Sequence, residues 1–326
     1  MSRRVLVTGA LGYLGGRIAE HLASAPDTRL VLTTRDPARA PAIPFPHERV
    51  VALDLARPAP DDLCDGVDAI VHLAAPNEIS AAEDPESAID TTVNGTLRVL
   101  ARARQAGVRR IVYASTAHVY GAPLVGHLHE GVLPRPRHPY AIAHRAAEDV
   151  VLASGLEAIV VRISNGYGRP LWAGVDRWTL LVNDLCRQAV VHGALVLRSS
   201  GRQLRDFVTL GDVARAVDHL LALPARALGD GVFDLGSDPR GPGAMSVLAM
   251  AERVRARAGV VLGREPTLAL GEDGADAAPA APLRYDSTRL AATGFRWSEA
   301  ADAELDGTLD LCRRAFGLDA ATAVPA

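Results

Sequence analysis

The sequence predicts an α/β fold, namely a doubly wound parallel sheet with a smaller α+β domain at its C-terminal end. Two observations predict it. Apolar, strand-like segments alternate with helix-like segments through the first half of the chain, and a glycine-rich turn follows the first of these strands. Such alternation is typical of parallel strands that are joined by right-handed helical crossovers.

The elements follow one another in a regular order. Short apolar runs predict buried strands, and they lie at residues 5–7, 30–32, 50–53, 69–73, 110–113 and 158–161. Apolar periodicity predicts helices at about 14–22, 85–106 and 140–154. The alternation ends after residue 165. Helices are then predicted at about 178–189 and 299–316, and a loop over 271–282, where Gly, Ala, Asp and Pro are concentrated.

The end of the strand–helix alternation after residue 165 predicts two domains. The nucleotide-binding domain is expected over residues 1–165 together with about 206–235. The substrate-binding domain is expected over 166–205 together with 236–326. A chain of 326 residues is long enough for this division.

Composition narrows the function classes. The formal net charge is −3 and aromatic residues make up 4% of the chain, which argues against a nucleic-acid partner. No apolar run is long enough for a membrane span, and the N-terminus has no signal-peptide pattern. The cysteines Cys64, Cys186 and Cys312 are far apart, which favours a reducing cytoplasm and excludes a CxxC-type zinc site. All 35 basic residues are arginine.

The turn after the first strand predicts a dinucleotide site. Gly9 permits the tight turn, Gly12 lets a pyrophosphate approach the backbone, and Gly15 lets the helix pack closely on the strand. The free N–H groups of the helix N-terminus then attract the phosphates. The predicted cofactor-binding residues of this segment are Gly9, Leu11, Gly12, Tyr13, Leu14 and Gly15.

The end of the second strand bears on the choice of cofactor. No acid directly follows its apolar run, and Arg35 lies about 20 residues past Gly15. Arg35 with Thr34 suits a 2′-phosphate and hence NADP, whereas Asp36 would favour NAD if it bonds the ribose. Ligands of such sheets bind at the carboxyl ends of the strands. This rule adds Asp54 and Leu55 after the third strand, and Leu73, Ala74 and Ala75 after the fourth.

Two hydroxyl side chains predict carbonyl–alcohol chemistry. Thr116 follows the fifth strand, and Tyr140 opens a helix 24 residues later. A phenol can donate or accept the proton of a carbonyl oxygen while the second hydroxyl orients that oxygen. A nicotinamide cofactor supplies the accompanying hydride transfer.

These motifs resemble the extended short-chain dehydrogenase/reductases, in the NAD-dependent epimerase/dehydratase group with its Rossmann fold. The resemblance covers nearly the whole chain: TGxxGxxG at 8–15, HLAA at 72–75, TVNGT at 92–96, STxxVYG at 115–121, NGYG at 165–168 and RDFV at 205–208. It implies Thr116 as the catalytic hydroxyl and Tyr140 as the catalytic acid/base. It also implies Asn94 at the cofactor, Asn165 and Arg205 at a nucleotide-sugar diphosphate, and a homodimer.

The sequence departs from the family at two places. The family's Tyr-x-x-x-Lys pattern has His144 at the lysine position. His144 can bond the nicotinamide ribose but carries little charge at neutral pH. It either replaces lysine in a working reductase, or belongs to a redox-neutral reaction with His144 or His118 as acid/base, or marks a chain that binds without catalysis. Ala117 and His118 replace the Asp-Glu pair of the 4,6-dehydratases, which argues against dehydration by that route.

The sequence therefore predicts an NADP(H)-dependent ketoreductase acting on a nucleotide-activated keto-deoxysugar or a similar ketone. The alternatives are a nucleotide-sugar epimerase with tightly bound NAD, and a redox-neutral or non-catalytic dinucleotide-binding protein. No metal site is expected, because His127 and His129 have no third ligand at a recognised spacing.

Overall fold

A seven-stranded parallel sheet lies at the centre of the structure, which is a computed structural model that describes residues 3–38, 43–272, 281–298 and 300–317. In these ranges the strands are β1 (Arg3–Thr8), β2 (Thr28–Thr34), β3 (Arg49–Ala52), β4 (Ala69–His72), β5 (Arg110–Thr116), β6 (Gly126–Leu128), β7 (Glu157–Ile163), β8 (Asn165–Tyr167), β9 (Ala194–Leu197), β10 (Leu204–Arg205), β11 (Phe207–Thr209), β12 (Val232–Leu235), β13 (Met245–Ser246), β14 (Thr267–Leu270) and β15 (Leu283–Tyr285). The large sheet has the order β12-β7-β5-β4-β1-β2-β3.

Helices cover the sheet and build the rest of the molecule. The described helices are α1 (Tyr13–Ala23), α2 (Glu78–Glu83), α3 (Pro85–Ile89), α4 (Gly95–Gln105), α5 (Pro139–Leu152), α6 (Leu181–Val191), α7 (Leu210–Ala222), α8 (Val247–Leu262), α9 (Thr288–Ala292) and α10 (Ala301–Phe316). None of them, within the described ranges, has the length and apolarity to cross a membrane. The predicted loop over 271–282 falls mostly on residues 273–280, which lie outside the described residues.

The sheet order confirms the doubly wound fold. β1 pairs in parallel with β2 on one side and with β4 on the other, so the chain reverses its direction of travel across the sheet next to β1. In sheets of this kind ligands bind at the carboxyl ends of the strands beside such a reversal. The glycine turn after β1 lies at this position.

Successive side chains of each strand point to opposite faces of the sheet. Both faces are buried, because each packs against helices in a separate apolar core. Val7 joins one core with Ile18 of α1 and Val217 of α7. Leu6 joins the opposite core with Val99 of α4 and Val151 of α5. These apolar residues are all fully buried or nearly so, and they hold the strand ends in fixed positions relative to the helices.

A third apolar core lies away from the large sheet. Leu185 of α6, Met250 of α8 and Leu309 of α10 belong to it, and the short strand pair β9–β14 flanks it. The second half of the chain therefore has a core of its own. The division at residues 165, 206 and 235 stays a prediction.

The helix predicted over 85–106 runs without a gap from Pro85 to Gln105 and contains one wider, π-helical turn. Asp84 caps α3, a wide π-helical turn follows at Asp90–Asn94, and α4 begins at Gly95. A Cβ atom at position 95 would lie 2.6 Å from Cβ of Leu55, so only glycine permits this close approach. The prediction of a long helix is confirmed, and the π-helical turn inside it is a local feature that apolar periodicity does not report.

A buried carboxylate joins the C-terminal helix α10 to the first helix α1. Glu304 of α10 accepts hydrogen bonds from the guanidinium of Arg17 on α1, with both N–O distances 2.8 Å. It also accepts from the backbone N–H groups of Arg169 and Gly211, both at 3.1 Å. A Cβ atom at Gly168 would lie 2.3 Å from Glu304 Oε2. Glycine there makes room for this cluster, which we call the Glu304 clasp.

Candidate functional site

A cleft of about 1020 Å³ runs along the carboxyl ends of β1, β2, β4 and β5. The second half of the chain closes its other side with residues of the 163–183 segment and with Arg205 and Phe207. A cavity of this size is at the upper end of the range for small-molecule and cofactor sites, about 300–1,000 Å³. Nearly all of the predicted cofactor and substrate residues lie on its walls.

The glycine turn forms one end of the cleft. Gly9 has a φ of 65°, a left-handed conformation that favours glycine. A Cβ at Gly15 would lie 2.1 Å from the Gly9 carbonyl oxygen, so the helix can start this close to the strand only without a side chain. No side chain caps the N-terminus of α1, which leaves its N–H groups available to an anion. The predicted residues Leu11, Gly12, Tyr13 and Leu14 line the same end.

The ends of β2 and β3 form the next wall. Thr34, Arg35, Asp36, Asp54 and Leu55 all line the cleft. The Asp36 carboxylate accepts a hydrogen bond from the N–H of Ala38 at 3.1 Å, and Asp54 accepts one from Ala56 at 3.0 Å. Both acids therefore stabilise their own turns. Arg35 is exposed and forms no ion pair within the described part of the chain.

A buried histidine organises the end of β4. Nδ1 of His72 lies 2.7 Å from the Thr8 hydroxyl, and Nε2 lies 3.0 Å from the Thr96 hydroxyl. The Thr8 oxygen also accepts from the N–H groups of Leu73 and Ala74, at 3.0 and 3.2 Å. This arrangement holds residues 73–75 on the floor of the cleft, where Leu73, Ala74 and Ala75 line it.

Asn94 does not reach the cleft. It lies at the end of the π-helical turn, is exposed, and donates from Nδ2 to Asp90 at 2.8 Å. Ser87, Ala88 and Thr91 line the cleft in this region instead. The contact between Asn94 and the cofactor stays a prediction that this conformation does not support.

The predicted catalytic hydroxyls come together. Thr116 ends β5, while Tyr140 is the second residue of α5, behind Pro139 at the first helical position. The two hydroxyl side chains both line the cleft, and Thr116 is near enough to influence the pKa of the Tyr140 phenol. His138 caps the helix by accepting from the Tyr140 N–H at 3.3 Å, which fixes where the phenol enters the cleft.

His144 lies one helical turn after Tyr140, with the two rings edge to face and 4.4 Å between centroids. Its Nδ1 is 2.7 Å from the hydroxyl of Tyr113. Its Nε2 is buried and has no hydrogen-bond partner among the described residues. Burial lowers the pKa of His144 to about 4, so the ring is neutral at pH 7. It does not supply the positive charge that a lysine would bring to this position.

The electrostatics of Tyr140 follow from its surroundings. Burial raises the pKa of the phenol to about 12, and the charge of Glu78 adds to this rise. The charge of Arg177 and the hydrogen bond with Thr116 act in the opposite direction. The phenol is therefore protonated at neutral pH and suited to donating a proton.

The predicted substrate residues meet through β8 and β11, where Asn165 pairs with Phe207 in parallel register. Asn165 donates from Nδ2 to the Asp206 carbonyl at 2.8 Å. The neighbouring Arg205 lines the cleft, and desolvation lowers its pKa. A half-buried guanidinium of this kind attracts an anion.

Histidines near the active-site loop have separate environments. His118 lines the cleft, and its backbone N–H donates to the Thr116 hydroxyl oxygen at 3.2 Å. Desolvation, followed by the charge of Arg205, lowers the pKa of His118. His127 pairs with Asp286 at 2.9 Å. Among the described ranges no three metal-ligating side chains come together.

Sequence reasoning missed several polar residues on the cleft wall. They come from loops and helix starts rather than from strand ends, and they are Asn77, Glu78, Ser87, Thr91, Ser164, Asp176, Arg177 and Asn183. Asn77 carried a local signal, since asparagine before Glu78 is a typical helix N-cap. Arg177 carried none, because it contacts Glu78, which is 99 positions away in the sequence.

Known proteins share this architecture. The model of the NAD-dependent epimerase/dehydratase family matches residues 5–236, more than two thirds of the chain. UDP-glucose 4-epimerase of Streptomyces lividans is 30% identical over 252 residues, which cover 69% of this chain and 73% of that protein. MoeE5, solved with UDP-glucose and NAD, has a TM-score of 0.75 at 26% identity and covers 96% of this chain and 100% of its own. RMD from Pseudomonas aeruginosa, solved with NADPH, has a TM-score of 0.72 at 24% identity and covers 95% and 99%.

Proposed function

Because the chain belongs to the NAD-dependent epimerase/dehydratase family, we propose that it transfers hydride between a nicotinamide dinucleotide and a ketone or secondary alcohol of a nucleotide-activated sugar. Its leading form is an NADP(H)-dependent ketoreductase acting on a keto-deoxysugar or similar ketone. One observation carries the proposal: the hydroxyl side chains of Thr116 and Tyr140 line the same cleft as the glycine turn.

The residues present fit a dinucleotide cofactor. The backbone at Gly12 and the uncapped start of α1 offer N–H groups to a diphosphate. The unpartnered Nε2 of His144 would gain a hydrogen bond from a ribose hydroxyl, and satisfying a buried polar atom is favourable. When bound there, a nicotinamide supplies the hydride transfer.

The protonation state of Tyr140 supports the reducing direction. A phenol whose pKa is about 12 holds its proton at pH 7 and donates it to the oxygen of a ketone as that oxygen gains charge. The Thr116 hydroxyl would hold the same oxygen. Arg205 would bind the diphosphate of the substrate, since guanidinium groups form paired hydrogen bonds with phosphate, and Asn165 lies beside it.

Arg35 supports NADP as the cofactor, and NAD stays possible. The guanidinium is exposed at the cleft wall, and the neighbouring Asp36 carboxylate is engaged by the Ala38 N–H. We expect Arg35→Gln to weaken NADPH binding about tenfold and to leave NADH binding nearly unchanged. Isothermal titration with both cofactors measures this difference.

A nucleotide-sugar epimerase is the second candidate, and the 30% identity to the Streptomyces lividans enzyme favours it. Epimerisation needs transient oxidation of an alcohol, so Tyr140 would first have to accept a proton. Retained NAD, interconversion of UDP-sugars and no consumption of free NADPH would support this candidate over the reductase.

Two further properties belong to the proposal. Exposed apolar side chains on α3, α4 and α5 support a homodimer across these helices, namely Ile89, Leu97 and Ile142. The three cysteines are free and buried, which supports a reducing cytoplasm. Sedimentation of the wild type and of Leu97→Glu tests the dimer, because a charge in a buried seam would dissociate it.

The proposed function is tested by identifying retained ligands and then measuring turnover. Mass spectrometry of the purified protein reports the cofactor. Turnover is then followed with NADPH and a set of nucleoside-diphosphate keto-deoxysugars. We expect Tyr140→Phe to lower turnover by about a hundredfold to ten-thousandfold. Tyr167→Phe is the matched control, since Tyr167 is buried outside the cleft against Phe207. Equal activity of both variants would refute the role of Tyr140.

A further inference from the structure

A buried tyrosine lies behind the cleft wall and contacts His144. Tyr113 on β5 is 1% exposed and does not line the cleft, whereas His144 on α5 does. The hydroxyl of Tyr113 lies 2.7 Å from Nδ1 of His144, and the two ring centroids are 5.7 Å apart. We call this contact the Tyr113–His144 pair. It joins the central sheet to the helix that carries Tyr140.

The sheet fixes the position of Tyr113. In the parallel pairing of β4 with β5, Tyr113 lies opposite His72, and the centroids of these two rings are 5.8 Å apart. Tyr113 also belongs to the apolar core that contains Val99 of α4 and Val151 of α5. A closely packed aromatic ring has little freedom to turn, so its hydroxyl stays directed at His144.

The protons of the Tyr113–His144 pair can be counted. Burial lowers the pKa of His144 to about 4, so the ring is neutral at pH 7 and carries one N–H. Nδ1 of His144 is the hydrogen-bond partner that the described residues offer to the Tyr113 hydroxyl, and Nε2 has none among them. The contact therefore has two directions: either the phenol donates to Nδ1, or Nδ1–H donates to the phenol oxygen.

The number of unpaired atoms separates the two directions. If Nδ1 carries the proton, the O–H of Tyr113 has no acceptor within the described ranges, and Nε2 of His144 has no donor. If the phenol donates to Nδ1, the single unpaired group is Nε2–H, which belongs to a residue of the cleft wall. Leaving a buried polar atom unpaired costs free energy. The second arrangement is therefore more stable by one hydrogen bond.

His72 shows how such a network determines a tautomer. The Thr8 oxygen accepts from two backbone N–H groups that follow β4, so its own proton points to Nδ1 of His72. Nε2 of His72 then carries the ring proton and donates to the Thr96 hydroxyl, which donates in turn to the Thr92 carbonyl. His72 is thus a reference histidine whose tautomer is fixed independently of Tyr113.

We propose that Tyr113 is a positioning residue that fixes the tautomer of His144, so that Nε2–H is presented to the cleft as a hydrogen-bond donor to a ribose hydroxyl of the dinucleotide. The inference rests on the proposed function, which places a nicotinamide dinucleotide in this cleft. A neutral histidine then resembles a lysine ammonium in donating a hydrogen bond, although it brings no charge. The residue behind position 144 decides this polarity.

The experiment reads the tautomer directly. The ten histidines are labelled with nitrogen-15, and two-bond proton–nitrogen NMR spectra at pH 7 distinguish protonated from unprotonated ring nitrogens. His144→Gln assigns the relevant signals. We expect Nε2 of His144 to carry the proton in the wild type. Tyr113→Phe should give a mixture of tautomers, with the share of the Nδ1–H form relative to the Nε2–H form increased about threefold to tenfold.

Tyr285→Phe is the matched control. It also removes a hydrogen-bonded hydroxyl from a buried tyrosine, but this hydroxyl donates to the carbonyl of Arg162 at 2.7 Å. The tautomer of His72 should stay the same in both variants. A proton on Nδ1 of His144 in the wild type, an unchanged tautomer in Tyr113→Phe, or an equal change in Tyr285→Phe would overturn the inference. The wild-type spectrum tests the direction of the hydrogen bond even if Tyr113→Phe does not fold.

Cofactor titration tests the donor role. Adding NADPH or NAD should shift the Nε2–H signal of His144 and leave that of His72 nearly unchanged. We expect the dissociation constant to rise about threefold to tenfold in Tyr113→Phe and to stay nearly constant in Tyr285→Phe. A signal of His144 that does not respond to a saturating dinucleotide would refute the hydrogen bond to the ribose.

The same measurements separate this inference from the proposed function. The spectra require no turnover, so they report on Tyr113 and His144 even if no sugar is converted. Absence of turnover with every sugar would refute the proposed function alone. Turnover in a wild type whose Nδ1 carries the proton would refute the inference alone. Where turnover is found, Tyr113→Phe should raise KM for the cofactor and leave kcat nearly constant.

Discussion

Two buried histidines lie at the cleft. His72 is the last residue of β4, and His144 lies on α5. Burial lowers the pKa of both His72 and His144 to about 4, so both rings are neutral at pH 7. The ring nitrogens of His72 both meet threonine hydroxyls, at 2.7 and 3.0 Å. His144 has one nitrogen engaged by Tyr113 and the other without a partner in the described ranges.

This difference separates a structural residue from a binding residue. The hydrogen bonds of His72 are complete within the protein, and they fix the floor of the cleft through Thr8. His144 lines the cleft and keeps one buried ring nitrogen, Nε2, without a partner among the described residues. Similar burial and similar pKa values therefore do not imply similar roles, and the unpartnered atom distinguishes the two residues.

Matched substitutions sharpen the comparison, beginning with stability. His72→Leu removes one hydrogen bond from each of the hydroxyls of Thr8 and Thr96 in a buried site. We expect the free energy of unfolding to fall by about 2–3 kcal/mol, as measured by urea denaturation. His144→Leu removes only the hydrogen bond with the Tyr113 hydroxyl, and it should lower the free energy of unfolding by about 1 kcal/mol. Equal losses in the two variants would contradict the distinction.

Cofactor affinity should show the reverse order. His144→Leu removes the only donor or acceptor that the ring offers to a ribose hydroxyl. We expect the dissociation constant for the dinucleotide to rise about tenfold, measured by fluorescence titration. His72→Leu should change the affinity less in the fraction that is folded. A larger rise in the dissociation constant for His72→Leu than for His144→Leu would contradict the binding role that we assign to His144.

The pH dependence of stability tests the buried, neutral state. The folded pKa of His72 lies below its unfolded value of 6.5, so the unfolded chain binds more protons and the wild type loses stability as pH falls from 6.5 towards 4. The stability cost of His72→Leu should therefore shrink by about 1–2 kcal/mol between pH 7 and pH 5. Burial raises the pKa of Asp234 to about 7, so its contribution to stability rises as pH falls. This contribution is the same in the wild type and in His72→Leu and does not affect the difference between them.

The smallest expected effect concerns His144→Lys. A lysine ammonium at this position would lie one helical turn from Tyr140 and lower the pKa of its phenol. The pH optimum of turnover should then move to lower pH by up to about one unit. The pH–rate profile measures this, with Arg145→Lys as control, because Arg145 is partly buried on the same helix, pairs with Glu148 and does not line the cleft. An unchanged profile would mean that position 144 does not influence the phenol.

The nucleotide half was predictable from the sequence because its rules are local. The apolar run of residues 5–7 and the glycines at 9, 12 and 15 specify a strand, a turn and a helix start through neighbouring residues alone. The carboxyl-end rule then places Arg35, Asp54 and Leu73 at the cleft, and all three line it. The spacing of Tyr140 and His144 also follows from one turn of helix.

The remaining site residues depend on contacts between distant segments. Arg177 meets Glu78 across 99 positions, and its neighbours in sequence show no periodic pattern that predicts this. Asn94 was expected at the cofactor, but the π-helical turn places it in solvent next to Asp90. Both outcomes depend on tertiary packing, which one sequence does not reveal.

The Glu304 clasp has a consequence for protein engineering. One carboxylate near the C-terminal end binds the first helix, the loop after β8 and the start of α7. A chimaera that replaces the second half of the chain by that of a relative must therefore keep a hydrogen-bond acceptor at position 304. It must also keep the glycines at positions 168 and 211, which lie against this carboxylate. Without them, the graft would remove the Glu304 partner of Arg17 and weaken the contact between α1 and the second half of the chain.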